Sequence, residues 1–274
     1  MIPAPFEYAR PSSLEEAIGL LAERGEEAKL LAGGHSLLPL MKLRLATPAL
    51  LVDIGRLEEL CYVRDEGDVV AVGALTTHDT ASRHELLRQK IPVFSAVAGQ
   101  IGDPQVRHRG TVGGSVAHGD AASDLPAVLL ALGGSVVAVG PDGRREIPAD
   151  QFHLGFLETA LAEDEVLLEL RLPVPAHPAY GFEKLTKRAQ DWAIVGAVAV
   201  RREEGAGLGL INMASVPLRA AAVEEALAAG APPAEAAERA DEGTEPAGDL
   251  NASPEFRRHL ARVLTRRALE KAFA

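Results

Sequence analysis

The feature that most constrains this 274-residue sequence is a pair of segments that each contain two adjacent glycines. The first is Ala32-Gly33-Gly34-His35-Ser36, which we predict to lie between a short buried strand at 28–32 and a short helix at 37–43. The second runs from Gly110 through Gly113-Gly114 to Asp120. Adjacent glycines let a ligand approach the backbone and expose consecutive amide N–H groups, which bind anionic oxygens. Two such segments would suit a diphosphate held from two sides; the alternative is a pair of tight turns.

Common nucleotide-binding and nucleophile motifs are missing. No Gly-x-Gly-x-x-Gly opens a predicted helix and no glycine-rich phosphate loop with its lysine occurs, so neither a Rossmann site nor a P-loop site is indicated. The segment Gly34 to Leu38 is similar to a nucleophile elbow, but that motif needs a second glycine where Leu38 stands. Ser36 is therefore not predicted to be a nucleophile, and the sequence indicates no catalytic acid–base pair.

The predicted elements mix helices and strands without a regular β–α–β rhythm, which indicates an α+β fold. A capping-box pattern at Ser12 to Glu16 predicts the start of the first helix. The segment from Gly102 to Asp124 is rich in Gly, His, Asp and Ser, which predicts a long functional loop. The proline-rich stretch from Pro173 to Pro178 predicts a domain boundary. Further strands are predicted at 50–54, 68–74, 135–139, 166–172, 181–185, 193–201 and 207–214, and further helices at 77–89, 93–98, 125–132, 223–229 and 254–271. The segment 231–248 is poorly patterned, and both a surface helix and a mobile loop remain open for it.

Composition narrows the partners and the compartment. A formal net charge of −11 and an aromatic content of 4% argue against nucleic acid, because an acidic surface repels phosphates and few stacking platforms are available. The one cysteine, Cys61, can form no internal disulfide and can hold no iron–sulfur cluster alone, which favours the cytoplasm and an apolar core role for this residue. We see no signal peptide, no membrane span and no second ligand at metal spacing from His118.

Five motifs in register make the sequence resemble a known family. The segment from Ala32 to Pro48 resembles the first FAD motif of the medium subunits of aerobic carbon monoxide dehydrogenases, which are molybdenum hydroxylases related to xanthine dehydrogenase. The segment from Asp103 to Gly114 resembles the second FAD motif. The resemblance continues through 124–127, 182–185 and 256–258, and covers nearly the whole chain in the same order.

This resemblance implies a fold and a function. The implied fold is a vanillyl-alcohol-oxidase (PCMH)-type FAD-binding domain at 1–175, with subdomains at about 1–55 and 56–175, and a C-terminal α/β domain of the CO dehydrogenase flavoprotein type at 176–274. The implied function is electron transfer: FAD on this subunit receives electrons from an iron–sulfur subunit and passes them to an external acceptor. The molybdenum cofactor and the [2Fe–2S] clusters are expected only on the large and small partner subunits, in a dimer of heterotrimers.

The resemblance also implies which residues bind FAD. Asp124 matches a carboxylate that binds FAD hydroxyls, Lys184 a lysine near the FAD, and Trp192 an aromatic residue against the flavin ring. Plain structural roles remain open beside these: a helix cap for Asp124, an exposed strand lysine for Lys184, and core positions for the apolar residues and Trp192. The other implied residues are Ala32, Gly33, Gly34, His35, Ser36, Thr111, Val112, Gly113, Gly114 and Ser115 around the diphosphate, and Ile101 and Leu167 near the flavin or adenine.

The sequence departs from the family pattern in two places. Ser115 stands where relatives often have Asn, and Ala121 follows Asp120 where they have proline. More distant oxidases of this fold attach FAD covalently through a histidine in a similar Gly-Gly-His-Ser stretch, which would be His35 here. The closer family holds FAD without a covalent bond, so we predict non-covalent binding. Two other functions remain open: a stand-alone FAD-dependent oxidase, and a non-enzymatic binding module with ordinary glycine turns.

Overall fold

The structure, a computed structural model, describes residues 2–274. It consists of three larger β-sheets, one two-stranded sheet and the helices around them. The strands are β1 (Glu7–Ala9), β2 (Ala28–Leu31), β3 (Leu50–Asp53), β4 (Val63–Asp65), β5 (Val69–Gly73), β6 (Ser135–Gly140), β7 (Gly143–Pro148), β8 (His153–Gly155), β9 (Glu158–Thr159), β10 (Val166–Pro173), β11 (Tyr180–Leu185), β12 (Val195–Arg201), β13 (Ala206–Ile211) and β14 (Leu218–Arg219). The α-helices are α1 (Leu14–Arg24), α2 (Leu37–Leu43), α3 (His78–Arg83), α4 (Glu85–Lys90), α5 (Pro92–Ala98), α6 (Pro104–Arg109), α7 (Val112–Ala117), α8 (Asp124–Leu132), α9 (Ala149–Phe152), α10 (Ala221–Ala228), α11 (Pro233–Ala236) and α12 (Pro254–Ala272). This mixture confirms the α+β class.

The first sheet is parallel, with strand order β1-β3-β2, and α1 and α2 connect its strands. Ser13 caps α1 as predicted, because its hydroxyl accepts the Glu16 N–H at 3.2 Å, while the Glu16 carboxylate accepts the N–H of Ser12, one residue before the cap, at 2.6 Å. Leu14 and Leu21 lie two turns apart on the buried face of α1 and pack in one core with β3. The sheet therefore fixes the end of β2, where the first glycine segment begins.

The second sheet is antiparallel, with strand order β4-β5-β10-β6-β7. Its central strand, β10, has a register shift between Leu167 and Glu169. Side chains of β5, β6 and β10 pack in one core with α5, α7 and α8. The Gly113 N–H donates to the Ala74 carbonyl oxygen at 2.9 Å, directly beyond β5. This bond attaches α7, which carries the second glycine segment, to the second sheet.

The third sheet is antiparallel, with strand order β11-β12-β13-β14, and has a helix against each face. Val198 and Val200 of β12 share a core with α8, whereas Ala197 and Ala199 share a core with α12. This alternation is the period-2 pattern of a strand whose two faces are both covered. All nine residues of α8 are buried, so this helix joins the third sheet to the core of the second.

Two predictions for the middle of the chain are wrong. The segment from Gly102 to Asp124 is not one long loop, because α6 and α7 lie within it. Asp103 caps α6 by accepting the Val106 N–H at 2.9 Å, and Pro104 follows at the first helical position. The predicted helix at 77–89 is two helices, since His84 between α3 and α4 has an extended backbone with φ −64° and ψ 124°.

Residues 231–248, which the sequence leaves open as a surface helix or a mobile loop, contain α11 and a short 3-10 helix whose Ala237 packs in the core beside α12. One further expectation is corrected. Cys61 is exposed rather than part of the core, and its thiol donates to the Leu75 carbonyl oxygen at 3.4 Å. Within residues 2–274, no helix combines the length and the apolar character that crossing a bilayer requires.

Candidate functional site

One cavity of about 730 Å³ brings together residues that are far apart in the sequence. Its walls come from β2 and the turn after it, from α7 and the start of α8, and from β11 and the loop that follows β11. Its volume is typical of sites for small molecules and cofactors. Val112 does not line the cavity, because its side chain is buried in the core. The other predicted residues do line it: Ala32, Gly33, Gly34, His35, Ser36, Ile101, Thr111, Gly113, Gly114, Ser115, Asp124, Leu167, Lys184 and Trp192.

The first glycine segment leaves its backbone N–H groups free. Gly34 has φ +80°, a left-handed conformation that glycine adopts without steric cost, and the chain turns there between β2 and α2. In the part of the chain that the structure describes, no group accepts a hydrogen bond from the backbone N–H of residues 33–36. Consecutive free donors just before a helix form a favourable site for anionic oxygens. The segment thus has the geometry of an amide nest.

The second glycine segment uses its N–H groups internally. Its glycines lie in α7, where the Gly113 N–H donates to the Ala74 carbonyl oxygen at 2.9 Å and the Gly114 N–H donates to Thr111 Oγ1 at 3.1 Å. The prediction of a second amide nest is therefore wrong. This segment has the same Gly-Gly dipeptide as the first, but the N–H groups of Gly113 and Gly114 already have acceptors in the capped helix and the neighbouring strand end. What this segment offers the cavity is a helix surface without side chains at 113 and 114, together with the hydroxyl groups of Thr111 and Ser115.

The two glycine segments contact one another. A Cβ added to Gly33 would lie 2.3 Å from the Arg109 carbonyl oxygen and 2.8 Å from the Gly110 Cα. These distances are far shorter than any carbon–oxygen or carbon–carbon contact in a packed protein, so only glycine permits this approach. The free N–H groups of one segment and the bare helix surface of the other consequently border the same cavity.

Asp124 and Lys184 form a nearly buried ion pair in the cavity wall. Lys184 Nζ lies 2.7 Å from Asp124 Oδ2, and the two side chains are 10% and 7% exposed. Burial raises the pKa of the Asp124 carboxyl, while the Lys184 ammonium acts in the opposite direction. Asp124 Oδ1 is buried and has no hydrogen-bond partner in the described chain. A buried acceptor without a donor is costly, so this oxygen is suited to a hydroxyl group of a ligand.

The plain structural roles predicted for Asp124 and Lys184 are not found. Asp124 is the first residue of α8 and Ser123 holds the cap position, so Asp124 does not cap this helix. Lys184 is not an exposed strand lysine, because it is nearly buried against Asp124. Since Lys184 belongs to β11, the third sheet supplies part of the cavity wall.

Trp192 and two apolar residues form other parts of the wall. Trp192 lies in the loop between β11 and β12 and is 58% exposed, so the core alternative is wrong and the indole is free to contact a ligand. Ile101 is partly buried and Leu167 is buried, and both belong to or pack against the core of the second sheet. The cavity therefore combines an aromatic residue with apolar walls.

Sequence patterns do not single out His78, yet this residue lies between the two glycine segments. It lines the cavity, its N–H donates to the Gly110 carbonyl oxygen at 3.0 Å, and its Nδ1 is buried without a partner. Burial, reinforced by nearby His35 and Arg107, lowers the pKa of the imidazole to about 4. His78 is thus neutral at pH 7. A lone histidine at the start of a helix has no characteristic spacing, so only its tertiary position reveals it.

The residues of the cavity fit FAD. The free N–H groups of 33–36 suit an anionic diphosphate, the unpaired oxygen of Asp124 suits a hydroxyl, and Trp192 suits stacking on a flat ring. Among residues 2–274, no group of three or more His, Cys, Asp or Glu side chains is placed to hold a metal ion. The described chain thus offers a site for an organic cofactor.

Comparison with known proteins gives the same family over the whole length. A family model described as the FAD binding domain in molybdopterin dehydrogenase matches residues 4–175, and one described as the CO dehydrogenase flavoprotein C-terminal domain matches residues 180–272. The carbon monoxide dehydrogenase medium chain of Hydrogenophaga pseudoflava is 41% identical, over 100% of this chain and 99% of its own. The caffeine dehydrogenase subunit beta of Pseudomonas sp. (strain CBB1) is 36% identical, over 99% and 96%.

Solved structures agree with the sequence relatives. Carbon monoxide dehydrogenase from Hydrogenophaga pseudoflava, in a form that lacks the Mo-pyranopterin moiety of the molybdenum cofactor, matches with a TM-score of 0.95 and 42% identity over 100% of this chain and 99% of that chain. Quinoline 2-oxidoreductase from Pseudomonas putida 86 matches with a TM-score of 0.91 and 32% identity over 99% and 98%. The family resemblance of the motifs is therefore confirmed. The chain belongs to the family of FAD-binding medium subunits of molybdenum-containing dehydrogenases, and it is an oxidoreductase subunit with FAD as its cofactor.

Proposed function

We propose that the chain binds FAD non-covalently in the cavity and passes electrons from an iron–sulfur subunit to an external acceptor. The bound FAD supplies the redox chemistry, and the protein binds it, orients it and sets its surroundings. Similarity to medium subunits over the full length of the chain supports this function over a stand-alone oxidase. The observation that carries the proposal is the run of free N–H groups at 33–36, whose first residue, Gly33, closely approaches the backbone of Arg109 and Gly110 just before α7.

The diphosphate is proposed to bind at the first glycine segment. Free backbone donors of residues 33–36 bind its oxygens, and the Ser36 hydroxyl, which caps no N–H of α2, is available as a further donor. Thr111, Gly113, Gly114 and Ser115 border the opposite side of the same space. Val112 acts by packing α7 into the core rather than by contact with the cofactor, because it does not line the cavity.

Hydroxyl groups of the cofactor are proposed to bind Asp124. Its unpaired Oδ1 accepts a hydrogen bond from a hydroxyl, while Lys184 donates to the other oxygen and opposes the rise in the pKa of the carboxyl that burial causes. The flavin ring is proposed to lie against Trp192, with Ile101 and Leu167 as apolar parts of the site. Ala32 and His35 contribute their backbone positions in the first glycine segment, so no covalent bond to His35 is expected.

The partners and the domain division follow from the same family relation. We propose a large subunit with the molybdenum cofactor and a small subunit with [2Fe–2S] clusters, assembled as a dimer of heterotrimers in the cytoplasm. Carbon monoxide dehydrogenase and nicotine 6-hydroxylase, for example, have medium chains similar to this one. We also propose residues 1–175 as the FAD-binding domain, with subdomains 1–55 and 56–175, and residues 176–274 as the second domain. The first two sheets lie within the former range and the third sheet within the latter, which supports this division.

The proposal is tested by FAD titration of the purified full-length chain. We expect a flavin absorption spectrum, and release of all flavin into the supernatant when the protein is precipitated with acid. Asp124→Asn should weaken FAD binding by about tenfold or more, because a charged acceptor for a hydroxyl is lost. Asp142→Asn, in the exposed turn between β6 and β7, is the matched control and should bind like the wild type.

Three results would contradict parts of this proposal. A chain that binds no FAD contradicts the cofactor site as a whole. Flavin that stays with the acid-precipitated protein contradicts non-covalent binding. Equal FAD affinity of the Asp124→Asn variant and the wild type removes Asp124 from the cofactor site.

A further inference from the structure

The position of Trp192 depends on the backbone of its loop rather than on packing. The indole is 58% exposed, and within the described residues its ring N–H donates to no acceptor. The loop between β11 and β12 returns to the sheet at Ile194, whose N–H donates to the Leu185 carbonyl oxygen at 2.8 Å. Whatever holds residues 193 and 194 therefore determines where the Trp192 ring lies.

Asn212 holds those two residues. It follows β13 directly, and its side-chain Nδ2 donates to the Ala193 carbonyl oxygen at 2.8 Å and to the Ile194 carbonyl oxygen at 3.3 Å. Both acceptors are carbonyl oxygens, so the amide group must present its nitrogen to them. The backbone of Asn212 is left-handed, with φ +61°, a conformation that asparagine tolerates better than most residues.

The same residue is bonded to the opposite wall of the cavity. The backbone N–H of Asn212 donates to the Ala121 carbonyl oxygen at 2.8 Å. Ala121 lies in the turn after α7, three residues before Asp124, and the neighbouring Ala122 and Ser123 line the cavity. One asparagine thus connects the Trp192 loop to the turn that leads into Asp124.

Arg257 supports the loop in a different way. Its guanidinium donates to the Ile194 carbonyl oxygen and pairs with Asp249 at 2.7 Å. Both contacts lie within residues 194–257, so Arg257 stabilises the third sheet and α12 without reaching the Asp124 side. Asn212 differs from Arg257 because its two sets of bonds join the two sides of the site.

We propose that Asn212 is a positioning residue that fixes the separation between Trp192 and the Asp124 side, so that the space between them fits the flavin ring of FAD. The inference rests on the proposed FAD site. Asn212 does not contact the cofactor; it acts through the Ala193 carbonyl on one side and the Ala121 carbonyl on the other. Loss of the side-chain amide removes two of the bonds that hold the Trp192 loop, while the backbone bond to Ala121 is retained.

The test uses the fluorescence of Trp192, which is the one tryptophan of the sequence. FAD is titrated into the full-length chain, and quenching of Trp192 emission is recorded together with the dissociation constant. Asn212→Gly keeps the left-handed backbone accessible but removes the amide; Asn212→Asp keeps the shape but has no N–H donor. Both variants should bind FAD about three- to tenfold more weakly, as expected for a lost hydrogen bond, and should quench Trp192 less at saturation.

Asn251→Gly is the control, since Asn251 is an exposed asparagine of the same region whose side chain makes only a 3.4 Å contact with Lys187. It should leave quenching and affinity at wild-type values. Melting temperatures of all variants are measured without FAD. A lower melting temperature with wild-type quenching and affinity in both Asn212 variants would show a purely structural role and overturn the inference. Absence of FAD binding by the wild type would instead overturn the proposed function, so the two failures are distinguishable.

Discussion

The two glycine segments have the same Gly-Gly dipeptide and opposite uses of the backbone. In the first, Gly34 is left-handed and the N–H groups of 33–36 are free. In the second, Gly113 and Gly114 are helical and their N–H groups bond Ala74 and Thr111. The comparison shows that a glycine pair predicts close approach to the backbone but does not predict backbone N–H groups without an acceptor. Whether the donors are free depends on the neighbouring residues, here a helix-capping threonine in one segment and none in the other.

The most severe change expected from this comparison is Gly33→Ala. Its Cβ would overlap the Arg109 carbonyl oxygen and the Gly110 Cα, which are backbone atoms and cannot rotate away. The two segments must separate, so we expect FAD affinity to fall by a hundredfold or more and stability by about 3 kcal/mol, the upper range for overpacking. FAD titration and urea unfolding measure the two effects.

Two other glycine-to-alanine substitutions serve as comparisons for the effect of Gly33→Ala. Gly113→Ala places a Cβ 2.5 Å from the Ala74 Cβ, which strains the attachment of α7 and should lower stability more than FAD affinity. Gly19→Ala, at an exposed position in α1 with open space around it, should be neutral or stabilising by about 0.5–1 kcal/mol. If Gly113→Ala abolished FAD binding at unchanged stability, the contrast between the two segments would be refuted.

The pH dependence of stability tests whether the pKa of His78, which lies between the two glycine segments, is lowered by folding. The imidazole of His78 has its pKa lowered from 6.5 to about 4 by burial, so between these values the unfolded chain binds a proton that the folded chain does not. Stability is then fully present above pH 6.5 and is lost as pH falls towards 4, by up to about 3 kcal/mol. Urea unfolding at pH 7 and pH 4.5 should show a smaller pH dependence for His78→Gln than for the wild type.

A control histidine separates this effect from general acid denaturation. His177→Gln, at an exposed position, should keep the pH dependence of the wild type. Equal pH dependence of His78→Gln and the wild type would mean that folding does not lower the pKa of His78. The effect of burial on the imidazole between the glycine segments would then be wrong.

The smallest effect concerns the cap of α7. Thr111→Val keeps the side-chain shape but removes the acceptor of the Gly114 N–H, so stability should fall by about 1 kcal/mol. Ser36→Ala is the counterpart at the first segment and should change stability little, because the Ser36 hydroxyl caps no N–H of α2. Thermal unfolding of the two variants compares the segments directly, and equal losses of stability would argue against their different backbone roles.

Regular elements with clear boundaries could be predicted from the sequence. Ser13 and Glu16 indicate the start of α1, and the apolar strand before Gly33 places the first glycine segment between β2 and α2, as the structure has it. Asp103 and Pro104 are residue types typical of a helix start, and α6 does begin there. The glycines and histidines around them favoured a loop instead. Short helices of six residues have too few turns for an apolar periodicity to be recognised.

The site itself was predicted by resemblance more than by pattern. Nothing in the spacing of Asp124, Lys184 and Trp192 brings them together, because their proximity depends on how the third sheet packs on α8. His78 and Asn212 were missed for the same reason: each acts through bonds to carbonyl oxygens of distant backbone, and such bonds leave no sequence signal. The family motifs identified the cavity wall, whereas the structure identifies what holds the wall in place.

The ion pair between Asp124 and Lys184 has a consequence for the order of biosynthesis. A ribosome makes α8 about sixty residues before it makes the lysine on β11, a separation that the ion pair bridges. Until that strand has docked, the carboxylate has no cation beside it, and a charge in this position is not neutralised. Insertion of the flavin nucleotide is therefore expected only after β11 has been synthesised and has docked against α8.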